Sequence, residues 1–466
     1  VDKSTRVNFS GNFGYTPNQN ESNSQSASFD APPGVNHENL FSDFESVPRD
    51  IKVNRSENRS RSENESHRYH WAMGVMRRLN EKGTTLGLNI QNSDSWGNNE
   101  SFSLSETTYF RLKDKNGNDS VLYRNQYLKS PQRNNSWRVG LSFTQPVGKK
   151  VRLRVAYNWS TRYERSNRDT YELSSLASSD IYGELPSGYE AGYVDSLSNR
   201  SHSRSNGHDL NVGVNYSDDT WMFNASLGVT PQRRTIDRKV GKLYADTAMN
   251  MIDFQPMIWM SWRKKEMRVS LNYNGNTRQP SLSDLMPLTD NSNPLYITRG
   301  NPDLKQMFSH NIRLNFQNSP KGISANLGGQ VEQNSVTQVM IYDVQTGGRE
   351  TYPVNINGNW NLFGGASWWK RFGHFSLRLD MSGNHSNRVG MINEDKSLQP
   401  EKSTTRDTGL NCEAQASYQP SWGGIDLSTS WNYQYSLNSL NDNDTYTRYY
   451  NFGLNGYVDF PFGLQL

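Results

Sequence analysis

Between Val269 and Phe316 the chain alternates apolar and polar residues, breaks for a proline-punctuated stretch, and then alternates again. In the first arm Val269, Leu271 and Tyr273 share one face, and Arg268, Ser270, Asn272 and Asn274 share the other. In the second arm Ile312, Leu314 and Phe316 alternate with Asn311, Arg313 and Asn315 in the same way. A side-chain period of two fixes a strand with one apolar and one polar face. Between the arms Pro280, Pro287, Pro294 and Pro302 forbid a regular ladder, and Gly300 is expected to supply the positive φ of a sharp reversal. The stretch is therefore a strand, a loop expected to be shaped but not helical, and a returning strand.

Composition decides what such strands build. Hydrophobic residues make up 33% of the 466, and the mean hydropathy is −0.87, too little apolar content for a large conventional core. Aromatic residues at 12% are too many for a simply disordered chain. A wide membrane barrel reconciles the two, because its apolar side chains occupy a thin lipid-facing band while the lumen and external loops stay polar. No run of about 20 apolar residues is present, which excludes a transmembrane helix. A net charge of +4 gives no concentrated basic surface for nucleic acid. The single cysteine, Cys412, excludes an intrachain disulfide and a cysteine-rich metal site. It shares an alternate face with Leu410, Ala414, Ala416 and Tyr418, the position of a small lipid-facing residue.

Short connections recur at 80–83, 147–149, 218–219, 263–266, 318–322, 370–373, 419–423 and 460–463, with long polar stretches between them. Bacterial barrels use short periplasmic turns and longer external loops, so the asymmetry places residues 278–305 outside the cell. Counting crossings on that basis gives about 16 strands, each with room for the roughly 9–11 residues a tilted strand needs. Clear examples are 137–143, 151–159, 210–216, 221–229, 375–381 and 425–435. In the second of these Val151, Leu153, Val155, Tyr157 and Trp159 point one way and Arg152, Arg154 and Asn158 the other. An arginine facing lipid near the midplane costs about 2–4 kcal/mol, so Arg152 and Arg154 are expected to face the lumen. Stretches 16–66 and 162–207 are long polar connections that keep enough alternation to extend their strands above the membrane. Asn116-Gly117 is expected to form a two-residue hairpin turn. Trp71, Trp159, Trp221, Trp368, Trp369, Trp422 and Tyr449, near strand ends, are candidates for interfacial girdles.

Chemistry-bearing motifs are sparse. The histidines at 37, 67, 70, 202, 208, 310, 374 and 385 lack the paired spacing and acidic companion of a zinc hydrolase, and no nucleophile motif marks a catalytic serine. No enzyme activity, metal site or cofactor is expected. Asn441-Asp442-Asn443-Asp444 has oxygen ligands for calcium, yet such a site needs six to eight arranged in space, and a solvated external turn is the simpler assignment. Tyr189, Tyr193 and Tyr296 are candidates either for ligand stacking or for loop packing.

The run RQPSLSDLMPLTDNSNPLYITRGNPDLKQMFSHN, from Arg278 through Pro280, Ser281, Leu285, Pro287, Asn293, Pro294, Gly300, Asn301, Pro302, Asp303 and Leu304 to Ser309, His310 and Asn311, resembles the late-barrel signature of TonB-dependent receptors. The form is that of the outer-membrane β-barrel family of Bacteroidota, in which R-x-P-S leads through N-P to G-N-P-D-L. That family continues with Lys-Pro-Glu, where this chain has Lys305, Gln306 and Met307. The resemblance implies an all-β, transmembrane antiparallel barrel in the bacterial outer membrane, with residues 1–466 forming part of a barrel of about 22 strands. It also implies uptake of an unidentified solute, driven by the TonB energy-transducing complex acting through an N-terminal plug. The chain begins already alternating and ends PFGLQL, a turn followed by the start of a strand, so plug and final strands are expected outside this segment. Outer-membrane lipids are expected neighbours. Two alternatives stand beside import: a structural or assembly partner for surface lipoproteins, and a passive porin.

Overall fold

The computed structural model describes residues 4–34, 40–176, 182–286, 289–290, 295–392 and 400–459. Among the described residues, twenty strands join in one sheet. The first nine are β1 (Thr5–Phe29), β2 (Lys52–Arg78), β3 (Thr85–Lys113), β4 (Asp119–Val147), β5 (Val151–Glu172), β6 (Asn199–Ser217), β7 (Trp221–Val240), β8 (Leu243–Lys264) and β9 (Met267–Arg278). Two short strands, β10 (Thr289–Asp290) and β11 (Tyr296–Arg299), lie in the loop before β12 (Met307–Asn318) and β13 (Ile323–Gln333). A loop hairpin of β14 (Ser335–Tyr342) and β15 (Arg349–Ile356) precedes β16 (Trp360–Phe372), β17 (Phe375–Ile392), β18 (Glu401–Tyr418), β19 (Gly423–Asn438) and β20 (Asn441–Val458). Removing the four loop strands leaves sixteen crossings, the number the alternation predicts.

Each crossing pairs antiparallel with the next, β9 with β12 and β13 with β16 across the loop strands. Among the described residues β1 pairs only with β2 and β20 only with β19, so these are the edges of the wall. Register aligns the apolar faces into continuous rows. One row runs Val7, Val75, Leu88, Leu141, Tyr157, Leu210, Val229 and Phe254 across eight neighbouring strands. Another links Phe223, Met260, Leu271, Leu314 and Leu327. Because successive side chains alternate, the opposite face is the lumen. There Thr144, Arg154, Gly213 and Ser226 form a row, which places Arg154 as its sequence requires. Asn158 Nδ2 donates to Asp209 Oδ2 at 2.9 Å and Thr230 Oγ1 to Asp209 Oδ1 at 3.1 Å, a polar seam across three strands.

Short turns close by side-chain capping. Asp218 Oδ1 accepts from the backbone N–H groups of Thr220 and Trp221 at 2.8 and 2.7 Å. Its Oδ2 accepts from the Tyr216 hydroxyl at 2.6 Å and Lys150 Nζ at 3.3 Å, tying one turn to its neighbour. These contacts hold the Asp218 carboxyl well below the usual range, the Tyr216 hydroxyl acting most strongly. Gly322 turns the 318–322 connection at φ 65°, a left-handed conformation suited to glycine.

Three expectations are corrected by register and turn geometry. The Asn116-Gly117 turn is not a two-residue hairpin: Lys113 pairs with Asp119 across five residues, and Asp114 Oδ1 accepts from the N–H groups of Asn116 and Asn118, both at 2.8 Å. The side-chain cap on Asp114 favours the longer loop. Trp368 lies opposite Ile323 on the outer face, so adjacent Trp369 falls on the luminal alternation. Tyr449 likewise falls on the luminal alternation, because Tyr450 is the residue opposite outward Trp431. Trp71 and Trp137 form an outward pair, edge to face with ring centroids 5.7 Å apart. The 460–463 turn lies outside the described residues.

Candidate functional site: the roofed mouth of the barrel

The loop from β9 to β12 is built from both ends of the proline-rich motif. Arg278 pairs with Met307 as the last rung of the wall. Gln279 then turns inward, its Nε2 donating to Asp253 Oδ1 and, at 3.0 Å, to Gln306 Oε1. Gln232 Nε2 donates to the other oxygen of Asp253 at 2.6 Å, so one luminal carboxylate pins the loop to β7 and β8. Gln306 is one of the two positions, with Met307, at which this chain departs from the resembled motif, and it supplies an acceptor for Gln279.

Beyond buried Pro280, Ser281 caps a single helical turn, α1 (Leu282–Leu285), accepting from the Asp284 N–H at 3.1 Å. The turn delivers Leu285 and Met286 to a small core with Leu304, Ile236 and Val240, all buried. Ile236 and Val240 lie on the face of β7 opposite the lipid row, so the motif folds into the mouth of the barrel and roofs it. Asn301 stitches the two arms. Its backbone N–H donates to the Asp284 carbonyl, its Nδ2 to the Pro353 carbonyl on β15 at 2.9 Å, and its Oδ1 accepts from the Asp303 N–H at 3.0 Å. Asn355 Nδ2 donates to the Lys305 carbonyl and its Oδ1 accepts the Lys305 N–H, and β11 pairs parallel with β15.

Gly300 has a different reason from the expected one. Its φ is not in the left-handed region; instead a Cβ there would collide with the Met286 carbonyl, and the Asp284 carbonyl oxygen would lie only 3.0 Å away. Close approach of the two arms requires the glycine. Pro302 and Asp303 are exposed at the tip of the reversal. Pro287, Asn293 and Pro294 lie outside the described residues.

Beneath the roof lies a recess of about 510 Å³. Register brings Asn64 on β2, Asn99 on β3, Gln132 and Asn134 on β4, Glu164 on β5 and Ser203 on β6 to one concave wall. Ser281 and Ser283 of the loop face it from above. Glu164 accepts from Ser203 Oγ at 3.2 Å and pairs with Arg162 at 2.5 Å. Arg234 reaches upward to the Pro280 carbonyl at 3.4 Å, and burial lowers its guanidinium from the usual arginine value. The recess thus offers hydroxyl, amide and guanidinium groups at fixed positions, an arrangement suited to hydrogen-bonding a polar solute.

Other candidate residues resolve into packing. Tyr189 meets Tyr127 and Tyr171 edge to face at 5.5 and 5.1 Å, and Tyr193 meets Tyr171 at 5.6 Å, so these rings hold the loop between β5 and β6 against the wall. Tyr296 lies under the Arg349 guanidinium at 4.9 Å. Tyr157 is bonded to His208 at 2.7 Å, Tyr273 to His310 at 3.1 Å and Thr408 to His385 at 2.9 Å, each on the outer face. His37 lies outside the described residues. Cys412 sits opposite Met381 and Trp431 on the lipid face. Asn441 pairs with Asn438 at the start of β20, so the 441–444 stretch begins a strand.

Among the described residues, sixteen crossings with apolar rows on one face, a polar opposite face and a roofed recess have the architecture of an outer-membrane β-barrel. Residues 77–458 match the model of the outer membrane protein beta-barrel family, and the chain belongs to that family. Among curated proteins none matches the sequence. Solved structures with a similar course include the copper transporter OprC, at 9% identity and a TM-score of 0.46, covering 97% of this chain and 72% of that one. The FrpB iron transporter from Neisseria meningitidis (F3-3 variant) is 10% identical, covering 96% and 78%, with a TM-score of 0.34. The siderophore receptor PirA from Pseudomonas aeruginosa is 10% identical, covering 98% and 81%, with a TM-score of 0.35. Family and architecture place the chain in the bacterial outer membrane.

Proposed function

We propose that this barrel imports a polar solute across the outer membrane as part of a TonB-dependent receptor, with the 279–306 loop as the fixed roof of its external binding chamber. The observation that carries the proposal is the insertion of that loop into the mouth, where Ser281 and Ser283 complete a recess otherwise made by six wall strands. A solute entering from outside meets this surface before it meets any plug. Energy from the inner membrane, delivered by TonB to a plug within the wide lumen, opens the passage. The sequence motif supports this reading through its resemblance to TonB-dependent receptors.

The test offers cells a defined mixture of Cu²⁺, ferric siderophores, haem, oligosaccharides and short peptides and follows depletion of each from the medium. Depletion of one component that requires both the full-length receptor and TonB is the expected result. Depletion that persists without TonB would establish a passive pore instead. Loss of no component, with the receptor present at the surface, would shift the assignment to a lipoprotein scaffold.

A further inference from the structure

We propose that the outer surface of β3, β4 and β5 carries a site for the phosphate of an anionic glycolipid headgroup, centred on Arg133 and Arg165. The two arginines are direct cross-strand partners in register. Like charges directly opposite on one sheet face are destabilising unless something lies between them. By alternation both side chains fall on the face opposite the lumen, Arg133 in phase with outward Trp137 and Leu141 and Arg165 in phase with outward Tyr157 and Trp159, while both residues also border the recess beneath the roof.

Height fits the assignment. An apolar band about 25 Å tall, starting at Val151 and crossed by a strand tilted about 40°, ends near Thr161. Tyr163 then lies about 5 Å and Arg165 about 10 Å above it, at the depth of lipid headgroups. Below them the Trp71–Trp137 pair marks the interface.

The site is preset. Arg133 Nη2 and Nε donate to the carboxylate of Asp94 at 2.9 and 3.4 Å, and that carboxylate is only 6% exposed while the Arg133 side chain is 57% exposed. With the Asn167 amide oxygen turned toward it, Arg165 donates through Nη2 and Nε at 3.0 and 3.1 Å. Each guanidinium is held on one edge, leaving its remaining N–H groups for an anion, and a planar fork suits phosphate. Tyr69, Trp96 and Tyr163 complete a cavity of about 600 Å³ around the pair. Asp94 neutralises one of the two positive charges, so the lining retains a net positive charge at neutral pH. An outward, positively charged pocket at headgroup depth in a lipid-embedded wall faces one abundant anion, the phosphate of the surrounding leaflet.

Native mass spectrometry of the full-length protein in detergent tests this, using bisphosphorylated lipid A and its dephosphorylated counterpart as probes. Wild type is expected to retain the phosphorylated probe at least about tenfold better. Arg133→Gln/Arg165→Gln is expected to lose that preference while still binding both lipids through their acyl chains. A luminal control, Arg152→Gln/Arg154→Gln, is expected to keep it. Equal retention of the two probes by wild type, or an unchanged preference in the Arg133→Gln/Arg165→Gln variant, overturns the proposal. Complete displacement of the phosphorylated lipid by excess inorganic phosphate would make the site one for free anions and also overturn it.

Discussion

The apolar side chains of this protein fall into two populations that face different solvents. On the wall, Leu141, Val212 and Leu227 are 51%, 51% and 48% exposed, in rows that continue from strand to strand. In the roof, Leu285, Met286 and Ile236 are 3%, 1% and 5% exposed, packed on one another. The wall residues gain their burial from lipid and lie on strands fixed by a continuous ladder of backbone hydrogen bonds. The roof gains its burial from a handful of side chains and from three anchors, Asp253, Asn301 and Asn355. Opening the roof therefore costs a few local contacts, whereas disturbing the wall exposes an arginine or an unpaired backbone to lipid.

The contrast breaks most visibly on the wall. Leu271→Arg places a charge among Met260 and Leu314 on the lipid face and is expected to cost about 2–4 kcal/mol near the midplane. Asn272→Arg, one residue along on the luminal face, is expected to cost little. Heat-modifiable gel mobility of membrane-assembled protein separates the two, and equal tolerance would place the register wrongly.

A smaller effect is expected in the roof. Gly300→Ala forces a methyl group against the Met286 carbonyl and should loosen the loop by about 1–3 kcal/mol. Limited proteolysis within residues 279–306 should accelerate while the melting temperature of the wall stays unchanged. A fall in both would mean that the roof and wall fold as one unit.

The smallest effect lies at the β3–β4 loop, remote from both populations. Hydrogen bonds from Arg49 and then Lys113 hold the Asp119 carboxyl below its usual value. A carboxylate depressed in the folded state contributes stability that is full above the unfolded value of about 3.9 and is lost as pH falls through the folded one. Protection of this loop from hydrogen exchange, corrected for intrinsic rates, should therefore hold at neutral pH and decline only in that acid range. Asp119→Asn should abolish the pH dependence; an unchanged acid profile in that variant would assign it elsewhere.

The wall was legible because a period of two is a local property, visible within eight residues of Val151. Its upper limit was not, because alternation continues past the membrane: β2 and β3 run on as polar arms far above the aromatic girdle. The motif was legible as a residue string, but its destination was not. Ile236, Val240 and Asp253 lie 25 or more residues before Gln279, and nothing local shows that β7 and β8 turn these side chains toward the loop. The helical turn at Leu282–Leu285 corrects the expectation of a non-helical loop, and the S-x-x-D pattern from Ser281 to Asp284 is the local signal that could have shown it. For Gly300 the residue was right and the reason wrong, since both a positive φ and a close approach select glycine and only tertiary contact distinguishes them.

Whether the signature loop is a packed roof inside the barrel mouth is tested most directly by hydrogen exchange at the amides of Leu285, Met286 and Leu304 in the full-length protein. Slow exchange is expected in the wild type. Met286→Ala, which removes a fully buried side chain, is expected to speed it about 30-fold, equivalent to about 2 kcal/mol, with the amides of β7 and β9 unchanged. Fast exchange in the wild type, indifferent to Met286→Ala, would contradict a roof packed on Ile236 and Val240.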